Sequence, residues 1–439
     1  MLIEFRVANF RSFNEEQTIS LVASKRDDAH SGNLIMGEKF NLLKAAAIYG
    51  PNASGKSNLI RAIRFMEMFI LNSATRMNQG EKIRGITPFR LSLDSQKQPS
   101  SFEITIVVDN TRYEYGFSAT ADRVHDEWLI AIPPPPKKRR LWFERRFDPK
   151  TNETQWVFRN PFKKADEQIL KENTRDNGLV LSRGAELNIK SLHQVFLWFR
   201  ENLWVFDLSA RPITLMQKTA KYIKEDQTFL GRVSQMIRHA DFGIDGLDVI
   251  EESVGQKKLQ EIFSKKFLRE AGDMFGEEDL KKLSVQTTHR LLGSEDQQLF
   301  DFELDESNGT QRFFALCGPF LDALDRGTVV VVDELECSMH PLLTRKLIEL
   351  FQSPEANKRG AQLIFSTHDS TLMDPELFRR DQIRLVEKNR RGASELFSLY
   401  DFDTKDRPRN TEAFQRNYLA GRYGGVPKFG PTFEDLEFK

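Results

Sequence analysis

The chain has 439 residues, 39% of them hydrophobic, and its 64 Lys and Arg residues are balanced by 64 Asp and Glu residues. This length predicts one large domain with an insertion, because a single core stops growing at roughly 250 to 300 residues, and the zero net charge gives no global signal for nucleic acid. Two cysteines without CxxC spacing disfavour a zinc site, and the lack of a signal peptide and of about 18 consecutive apolar residues predicts a cytoplasmic protein with no membrane segment.

The apolar periodicity divides the chain into three predicted parts. Residues 1–159 contain a first strand, a buried strand at Leu42–Tyr49, a helix from about Ser57 and, after Ser101, short alternating segments typical of an antiparallel sheet. Residues 160–283 show three- and four-residue spacings that predict a mainly helical insertion. In residues 284–439 strands and helices alternate again, with strands at Thr328–Val332 and Ala361–Ser366, before a C-terminal tail.

A glycine-rich segment lies between the buried strand and the first helix. It reads GPNASGKS and fits G-x-x-x-x-G-K-[ST]. Backbone N–H groups of such a loop cradle phosphates, Lys56 would reach the β- and γ-phosphates, and the Ser57 hydroxyl would ligate Mg²⁺. The alternative, an ordinary glycine turn, is disfavoured by the strand–loop–helix context. The predicted cofactors are ATP and Mg²⁺, and the predicted nucleotide contacts are Gly50, Asn52, Ala53, Ser54, Gly55, Lys56, Ser57 and Asn58.

Two later strands also end in polar side chains. Asp333 and Glu334 follow four valines, and the interpretation is that Asp333 holds Mg²⁺ while Glu334 is the general base for an attacking water. The alternative is a buried strand followed by a helix-initiating acid pair. His368 follows the next strand and could hydrogen-bond the γ-phosphate or position the water, although a lone histidine there is more often a loop residue.

Three further features of the sequence each have two possible interpretations. Ser307 and Gly309 precede a predicted helix whose N-terminus could bind the nucleotide of another subunit, or Ser307 is a simple N-cap. Arg11, at the end of the first strand, either contacts a phosphate or is a solvated charge. The basic cluster Lys137–Arg140 could contact nucleic acid, but a solvated turn is the favoured interpretation.

The order of these motifs resembles the ABC ATPase heads of SMC, RecF and double-strand-break repair proteins. An N-F-R-S strand at Asn9–Ser12 is followed by the phosphate loop, an insertion, a signature segment, V-D-E and S-T-H. More closely, the segments DESNGT, DELECSMHP, AQLIFSTHD, RDQI and YLAGRYGGVP resemble bacterial AAA/ABC-type ATPases of abortive-infection phage defence. That group includes the ATPase of the RloA/RloB pair and, more distantly, PARIS-type ATPases.

The resemblance implies an α/β fold like an ABC/SMC head, with mixed and antiparallel sheets and a mainly helical insertion. It implies a head-to-head homodimer, open to higher oligomers, in which Ser307 and Gly309 of one subunit close over ATP held by Lys56 of the other. Glu334 would be the hydrolytic base and His368 the switch histidine. The signature is S-N-G-T rather than S-G-G-Q, and the Q-loop glutamine stays open among Gln79, Gln96 and Gln98.

The leading functional hypothesis is an ATP-hydrolysing switch of phage defence that controls a separately encoded effector, expected to be a nuclease. Only 71 residues follow His368 (439 − 368), too few for the nuclease domain that some related proteins carry. The alternative is a DNA-repair ATPase of RecF/SMC type that binds duplex DNA directly, which the balanced charge disfavours. A transporter ATPase subunit is disfavoured by the long insertion and the missing S-G-G-Q.

Overall fold

The computed structural model describes residues 1–136, 138–208, 212–240, 242–253, 281–402, 408–409 and 411–427. Its strands are β1 (Leu2–Ala8), β2 (Gln17–Ser20), β3 (Leu34–Ile35), β4 (Leu42–Leu43), β5 (Ala45–Tyr49), β6 (Ser100–Val108), β7 (Thr111–Ala119), β8 (Val124–Ile132), β9 (Arg140–Asp148), β10 (Glu153–Phe158), β11 (Leu203–Asp207), β12 (Gly246–Ser253), β13 (Lys281–Arg290), β14 (Gln297–Asp301), β15 (Val329–Asp333), β16 (Gln362–Ser366), β17 (Ile383–Lys388) and β18 (Ser394–Ser398). Its helices are α1 (Lys56–Asn72), α2 (Lys164–Asn173), α3 (Val180–Glu186), α4 (Lys190–Asn202), α5 (Ile213–Glu225), α6 (Gln227–His239), α7 (Asn308–Arg326), α8 (Pro341–Gln352) and α9 (Phe414–Leu419).

The chain forms two compact units. The first unit comprises Met1–Asp207, Ala323–Glu336 and Arg345–Lys439, and the second comprises Leu208–Asp322 and Cys337–Thr344. These bounds differ from the predicted boundaries at 159/160 and 283/284. The segment expected to be a mainly helical insertion places α2 to α4 in the first unit, and it also contains β11, β12 and the start of β13. Residues 254–280 of this segment lie outside the described residues.

A mixed six-stranded sheet forms one layer of the first unit. Its order is β11-β15-β16-β5-β17-β18, with every neighbour pair parallel except β17 and β18. Strands β5, β15 and β16 are buried along their whole length, which explains their uninterrupted apolar sequences, because parallel strands are covered on both faces. The expected buried strands at Thr328–Val332 and Ala361–Ser366 are confirmed within one residue at their ends. The strand expected at Leu42–Tyr49 is instead divided into β5 and the short β4, which pairs with β3 in a separate two-stranded sheet.

An antiparallel seven-stranded sheet forms the second layer, in the order β10-β9-β8-β7-β6-β1-β2. Asp109 and Asn110 link β6 to β7 with φ of 45° and 61°, the left-handed pair that a two-residue hairpin requires. Helix α1 contacts strands of both sheets, β15 and β11 in the mixed sheet and β1 in the antiparallel sheet. Phe65 on α1 lies 4.9 Å from Phe102 of β6 between ring centroids. The predicted combination of a mixed and an antiparallel sheet in an α/β fold is therefore confirmed.

The second unit has its own small sheet. Strands β12, β13 and β14 pair antiparallel in that order, and α5 contacts β12 and β13 while α6 contacts β12. The Thr219 hydroxyl on α5 donates to the Ala315 carbonyl of α7 at 3.1 Å, and the Gly318 amide donates to the same hydroxyl at 3.2 Å. A Cβ at Gly318 would overlap Thr219, so glycine is what lets α5 and α7 approach this closely.

Candidate functional site

Three neighbouring parallel strands end at the same edge of the mixed sheet. Strands β15, β16 and β5 are adjacent, and each is followed by one of the predicted motifs: the acid pair, S-T-H and the phosphate loop. The carboxyl ends of parallel strands are where α/β sheets bind ligands. The topology thus brings together segments that lie about 280 residues apart in sequence, as the Ser57–Asp333 separation of 276 positions shows.

The backbone of the phosphate loop has positive φ angles, which favour glycine. Gly55 has φ of 124° and Ala53 has φ of 61°. A Cβ at Gly55 would lie 2.9 Å from the Ser12 hydroxyl and would overlap the Ser394 hydroxyl, so a larger residue there would displace the loop. Ser394, at the start of β18, donates its hydroxyl to the Ser54 carbonyl and its amide to the Ser12 carbonyl at 2.7 Å. The sequence contained no signal for this serine.

Lys56 is the first residue of α1 and lies folded over the loop. Its Nζ donates to the Gly50 carbonyl at 2.7 Å and to the Pro51 carbonyl at 3.2 Å, and the residue is only 5% exposed. Burial lowers the pKa of the Lys56 ammonium to about 8, against the opposing charges of Asp333, Glu336 and Glu334. A cation desolvated in this way gains from an incoming anion, as the predicted phosphate contact requires.

Ser57 and Asp333 are in direct contact. The Ser57 hydroxyl donates to Asp333 Oδ1 at 3.2 Å, and the Ser366 hydroxyl donates to the same oxygen at 2.5 Å. A serine hydroxyl and a carboxylate are hard oxygen ligands of the kind that Mg²⁺ takes. The two residues predicted to hold the metal are therefore adjacent, and their donor set fits it. Ser366, which the sequence analysis did not single out, orients the carboxylate from the end of β16.

Glu334 and His368 follow the ends of the neighbouring strands β15 and β16. Glu334 has φ of 55°, and its backbone N–H donates to the Ser366 hydroxyl at 2.8 Å. Burial, and then the charge of Lys56, lower the pKa of the His368 imidazole, although Glu336, Glu334 and Asp333 oppose them. A pKa below the usual 6.5 leaves the imidazole neutral at pH 7. The structure thus brings both predicted catalytic residues into the electrostatic environment of Lys56, while their roles stay predictions.

Arg11 and Asn58 border a cavity of about 350 Å³ beside the phosphate loop. The Asn58 amide donates to the Ser12 hydroxyl at 2.9 Å. Arg11 has φ of 52°, and its buried Nε has no hydrogen-bond partner within the described part of the chain. Burial lowers the pKa of Arg11, with Arg61 and Arg90 adding to the effect. The lining also includes Arg90 and Lys388, which lie far apart in sequence and gave no motif.

Ser307 and Gly309 belong to the second unit and begin α7. The Ser307 hydroxyl accepts from the Thr310 amide at 3.1 Å, so Ser307 caps the helix as its simplest interpretation required. A Cβ at Gly309 would lie 2.6 Å from the Ser338 carbonyl, which explains why glycine is needed here. The proposed contact of these residues with a nucleotide on another subunit stays a prediction.

The loop before α7 is held from two sides. The Gln311 amide donates to the carbonyls of Phe302, Glu303 and Glu306 at 3.3, 3.1 and 2.9 Å. Glu306 Oε1 contacts the hydroxyl of Thr287 at 2.7 Å and Nε2 of His289 at 2.8 Å. Ser307 therefore follows an anchored turn within its own unit.

The basic cluster is only partly described, since Lys137 lies outside the described residues. Arg139 pairs with Glu114 at 2.9 Å, and its side chain is 60% exposed. This ion pair agrees with the interpretation of the cluster as a solvated turn. Across the described ranges, no helix is both long enough and apolar enough to cross a bilayer.

Comparison with known proteins decides the family. A profile described as "AAA domain, putative AbiEii toxin, Type IV TA system" matches residues 45–374. The chain belongs to this AAA family. The match covers the phosphate loop, the acid pair and S-T-H of this AAA protein, and it confirms the coarser prediction of an AAA/ABC-type P-loop ATPase. The closer resemblance to RloA and PARIS-type ATPases stays a prediction.

The AAA protein is similar to the SMC head in a crystal structure of the SmcHead bound to the C-winged helix domain of ScpA, with 13% identity and a TM-score of 0.41 over 90% of this chain and 97% of that chain. No curated protein matches the sequence.

Proposed function

We propose that this AAA protein is a switch of bacterial phage defence, which closes as a homodimer around Mg²⁺ and ATP, opens on hydrolysis and thereby controls a separately encoded effector. The observation that carries the ATPase part is the contact of Ser57 with Asp333 beside the buried Lys56. The defence role is supported by the motif resemblance and by the family description, which names a toxin of a type IV toxin–antitoxin system.

Each group of residues in the site has its own role in this proposal. Loop amides and Lys56 bind the triphosphate, and the cavity lined by Arg11, Arg90 and Lys388 accepts the remainder of the nucleotide. Ser57 and Asp333 would hold Mg²⁺, whose charge would offset that of the β- and γ-phosphates. Glu334 takes a proton from the attacking water while the water oxygen bonds to the γ-phosphorus. The bond between the γ-phosphorus and the oxygen that bridges it to the β-phosphate breaks, and ADP leaves.

The neutral imidazole of His368 hydrogen-bonds the γ-phosphate in this scheme. Across the dimer, Ser307 and the Gly309 amide offer a second helix N-terminus to the same phosphate. Binding would favour the closed dimer because only that state makes both sets of contacts. Direct duplex binding is the weaker proposal, since the chain has no net charge and Arg139 is already paired.

The ATPase proposal is tested with Lys56→Ala and Glu334→Gln. Lys56→Ala is expected to lose ATP binding because the phosphates lose their cation. Glu334→Gln is expected to bind ATP normally and to hydrolyse it roughly 10² to 10⁴-fold more slowly, because the base is removed. Binding is measured by calorimetry, turnover by phosphate release and dimerisation by light scattering. Exposed Glu376→Gln is the control, and unchanged turnover in Glu334→Gln would contradict the assignment.

The effector proposal needs a separate experiment. The tagged protein is purified from its host with and without ATP in the lysate, and the product of the neighbouring gene is sought among the bound proteins. Capture that depends on ATP, and that Lys56→Ala abolishes, is the expected result. No association of that gene product in either nucleotide state would refute effector control.

A further inference from the structure

Glu336 lies three residues beyond Asp333 and has no role in the scheme above. Its Oε1 accepts a hydrogen bond from the backbone N–H of His368 at 2.6 Å. Its other oxygen, Oε2, is buried and has no hydrogen-bond partner in the described ranges. The position of this carboxylate needs an explanation, because it is costly to bury a charged oxygen that has no hydrogen-bond partner.

The geometry of two strands explains the contact. Strands β15 and β16 pair in parallel up to Val332 and Phe365. Beyond them the Leu335 amide still donates to the Ser366 carbonyl at 3.1 Å, but the left-handed backbone at Glu334 turns the chain. The next amide on the β16 side is that of His368, and a side chain rather than a backbone carbonyl meets it. Glu336 thus extends the ladder by one bond.

The residues on either side of His368 are held by other hydrogen bonds. The Thr367 amide donates to the Ile48 carbonyl of β5 at 3.0 Å. The Asp369 amide donates to the Thr367 hydroxyl at 3.0 Å, and Asp369 Oδ1 accepts from the Thr371 amide at 2.9 Å. On the β15 side, Glu336 supplies the contact to the histidine itself. The distance from His368 to the acid pair therefore depends on this carboxylate.

The charge of Glu336 also acts on Lys56 and His368. Of the two glutamates, Glu336 opposes the lowering of the pKa of both Lys56 and His368 more strongly than Glu334 does. Both side chains belong to the first unit, at the end of one strand.

We propose that Glu336 is a positioning residue for hydrolysis, which fixes the backbone of His368 and so holds the imidazole in place relative to the γ-phosphate. This proposal rests on the ATPase function proposed above. It requires a hydrogen-bond acceptor at the distance of Oε1, and it does not require a negative charge. Three variants separate these requirements: Glu336→Gln keeps the reach and loses the charge, Glu336→Asp keeps the charge and loses the reach, and Glu336→Ala loses both.

Turnover and ATP affinity are measured for each variant. We expect Glu336→Asp and Glu336→Ala to lower kcat by roughly tenfold to a hundredfold and Glu336→Gln to stay within roughly fivefold of wild type, as the strength of a hydrogen bond to a charged acceptor indicates. The Kd for ATP should be unchanged in Glu336→Asp, because this variant keeps the charge that acts on Lys56 and does not alter the phosphate loop. Thermal unfolding identifies a variant that fails to fold, and Glu336→Asp still tests the proposal if Glu336→Ala does.

A double-mutant cycle with His368→Ala separates positioning from direct action. If Glu336 acts through His368, Glu336→Asp should change the kcat of the His368→Ala protein by less than about twofold. Equal losses in Glu336→Gln and Glu336→Ala, or a full loss that persists in the His368→Ala background, would overturn the proposal. Wild-type protein without turnover above the Lys56→Ala protein would instead refute the ATPase function on which it rests.

Discussion

Glu67 on α1 shows how one half-buried carboxyl can make folding depend on pH. Burial raises the pKa of its carboxyl to about 8, although Arg64 acts in the opposite direction. The Arg64 guanidinium is bound elsewhere, because its Nη1 donates to the Val205 carbonyl of β11 at 2.7 Å. Glu67 is therefore protonated at neutral pH, unlike an exposed glutamate.

The sign of the pH effect follows from this shift. Between the ordinary value of 4.5 and about 8, the folded chain holds a proton at Glu67 that the unfolded chain releases, so stability falls as pH rises through that window. Glu67→Gln mimics the protonated form, so at pH 9 its free energy of unfolding should exceed that of wild type by roughly 1 to 3 kcal/mol. At pH 5 the two proteins should have nearly the same free energy of unfolding. Urea unfolding from pH 5 to 9 measures this, with exposed Glu376→Gln as the control. Parallel pH profiles for wild type and Glu67→Gln would count against it.

At the scale of elements, Glu127 joins the antiparallel sheet to a short helix. Glu127 lies on β8 and is fully buried. Its two oxygens accept from the amides of Val180 and Leu181 at 2.8 and 3.1 Å, at the start of α3, and from the Tyr115 hydroxyl at 3.0 Å. It also pairs with Arg145 at 2.9 Å. A carboxylate here complements the positive end of the helix and satisfies amides that have no partner within the helix.

Removing this carboxylate should be costly. We expect Glu127→Ala to lower the free energy of unfolding by about 3 to 5 kcal/mol, because Arg145 and the helix amides are left buried without their partner. The exposed pair of Lys82 and Asp122, at 3.7 Å with side chains 76% and 74% exposed, gives the control: Asp122→Ala should cost less than about 1 kcal/mol. Denaturant titration of the three proteins checks both values. Equal losses for the two variants would show that Glu127 does not anchor α3.

At the scale of the whole molecule, the predicted ATP-binding elements are divided between two compact units. Lys56 at the start of α1 and Asp333 at the end of β15 belong to the first unit, whereas Ser307 and Gly309 belong to the second. Residues Cys337–Thr344 of the second unit follow directly on Glu336 of the first. The Arg312 guanidinium on α7 contacts Cys337 and lies 3.2 Å from the Ser338 hydroxyl. The segment after the acid pair thus packs on α7 of its own chain.

Dimerisation through Ser307 is tested by Ser307→Arg. A bulky cation at the helix N-terminus should block the partner's nucleotide sterically and oppose the helix dipole. We expect the Glu334→Gln, Ser307→Arg double variant to bind ATP with unchanged affinity but to sediment as a monomer, whereas Glu334→Gln alone dimerises with ATP. Ser294→Arg, in the exposed turn between β13 and β14, is the control. An ATP-dependent dimer of the double variant would refute the role of Ser307.

Local chemistry was enough to predict much of this protein. The phosphate loop, the buried strands and the turn at Asp109 depend on neighbours in sequence, because glycine freedom, strand alternation and hairpin geometry act over a few residues. The acid pair was predicted for the same reason, as polar residues that end an apolar strand. The segment predicted as a helical insertion contains strands as well as helices, because short amphipathic spacing shows that one face of a segment is buried without showing which element covers it.

The tertiary structure decided which distant groups meet. Ser366 and Ser394 carry no motif of their own, yet one orients Asp333 and the other holds the phosphate loop. Glu336 was visible in sequence only as another acid after a strand, and its contact with His368 exists because β15 and β16 are neighbours. Sequence by itself thus determined which segments form the binding loop and strand ends. Strand order decided which side chains support them, because such contacts join residues that no local rule connects.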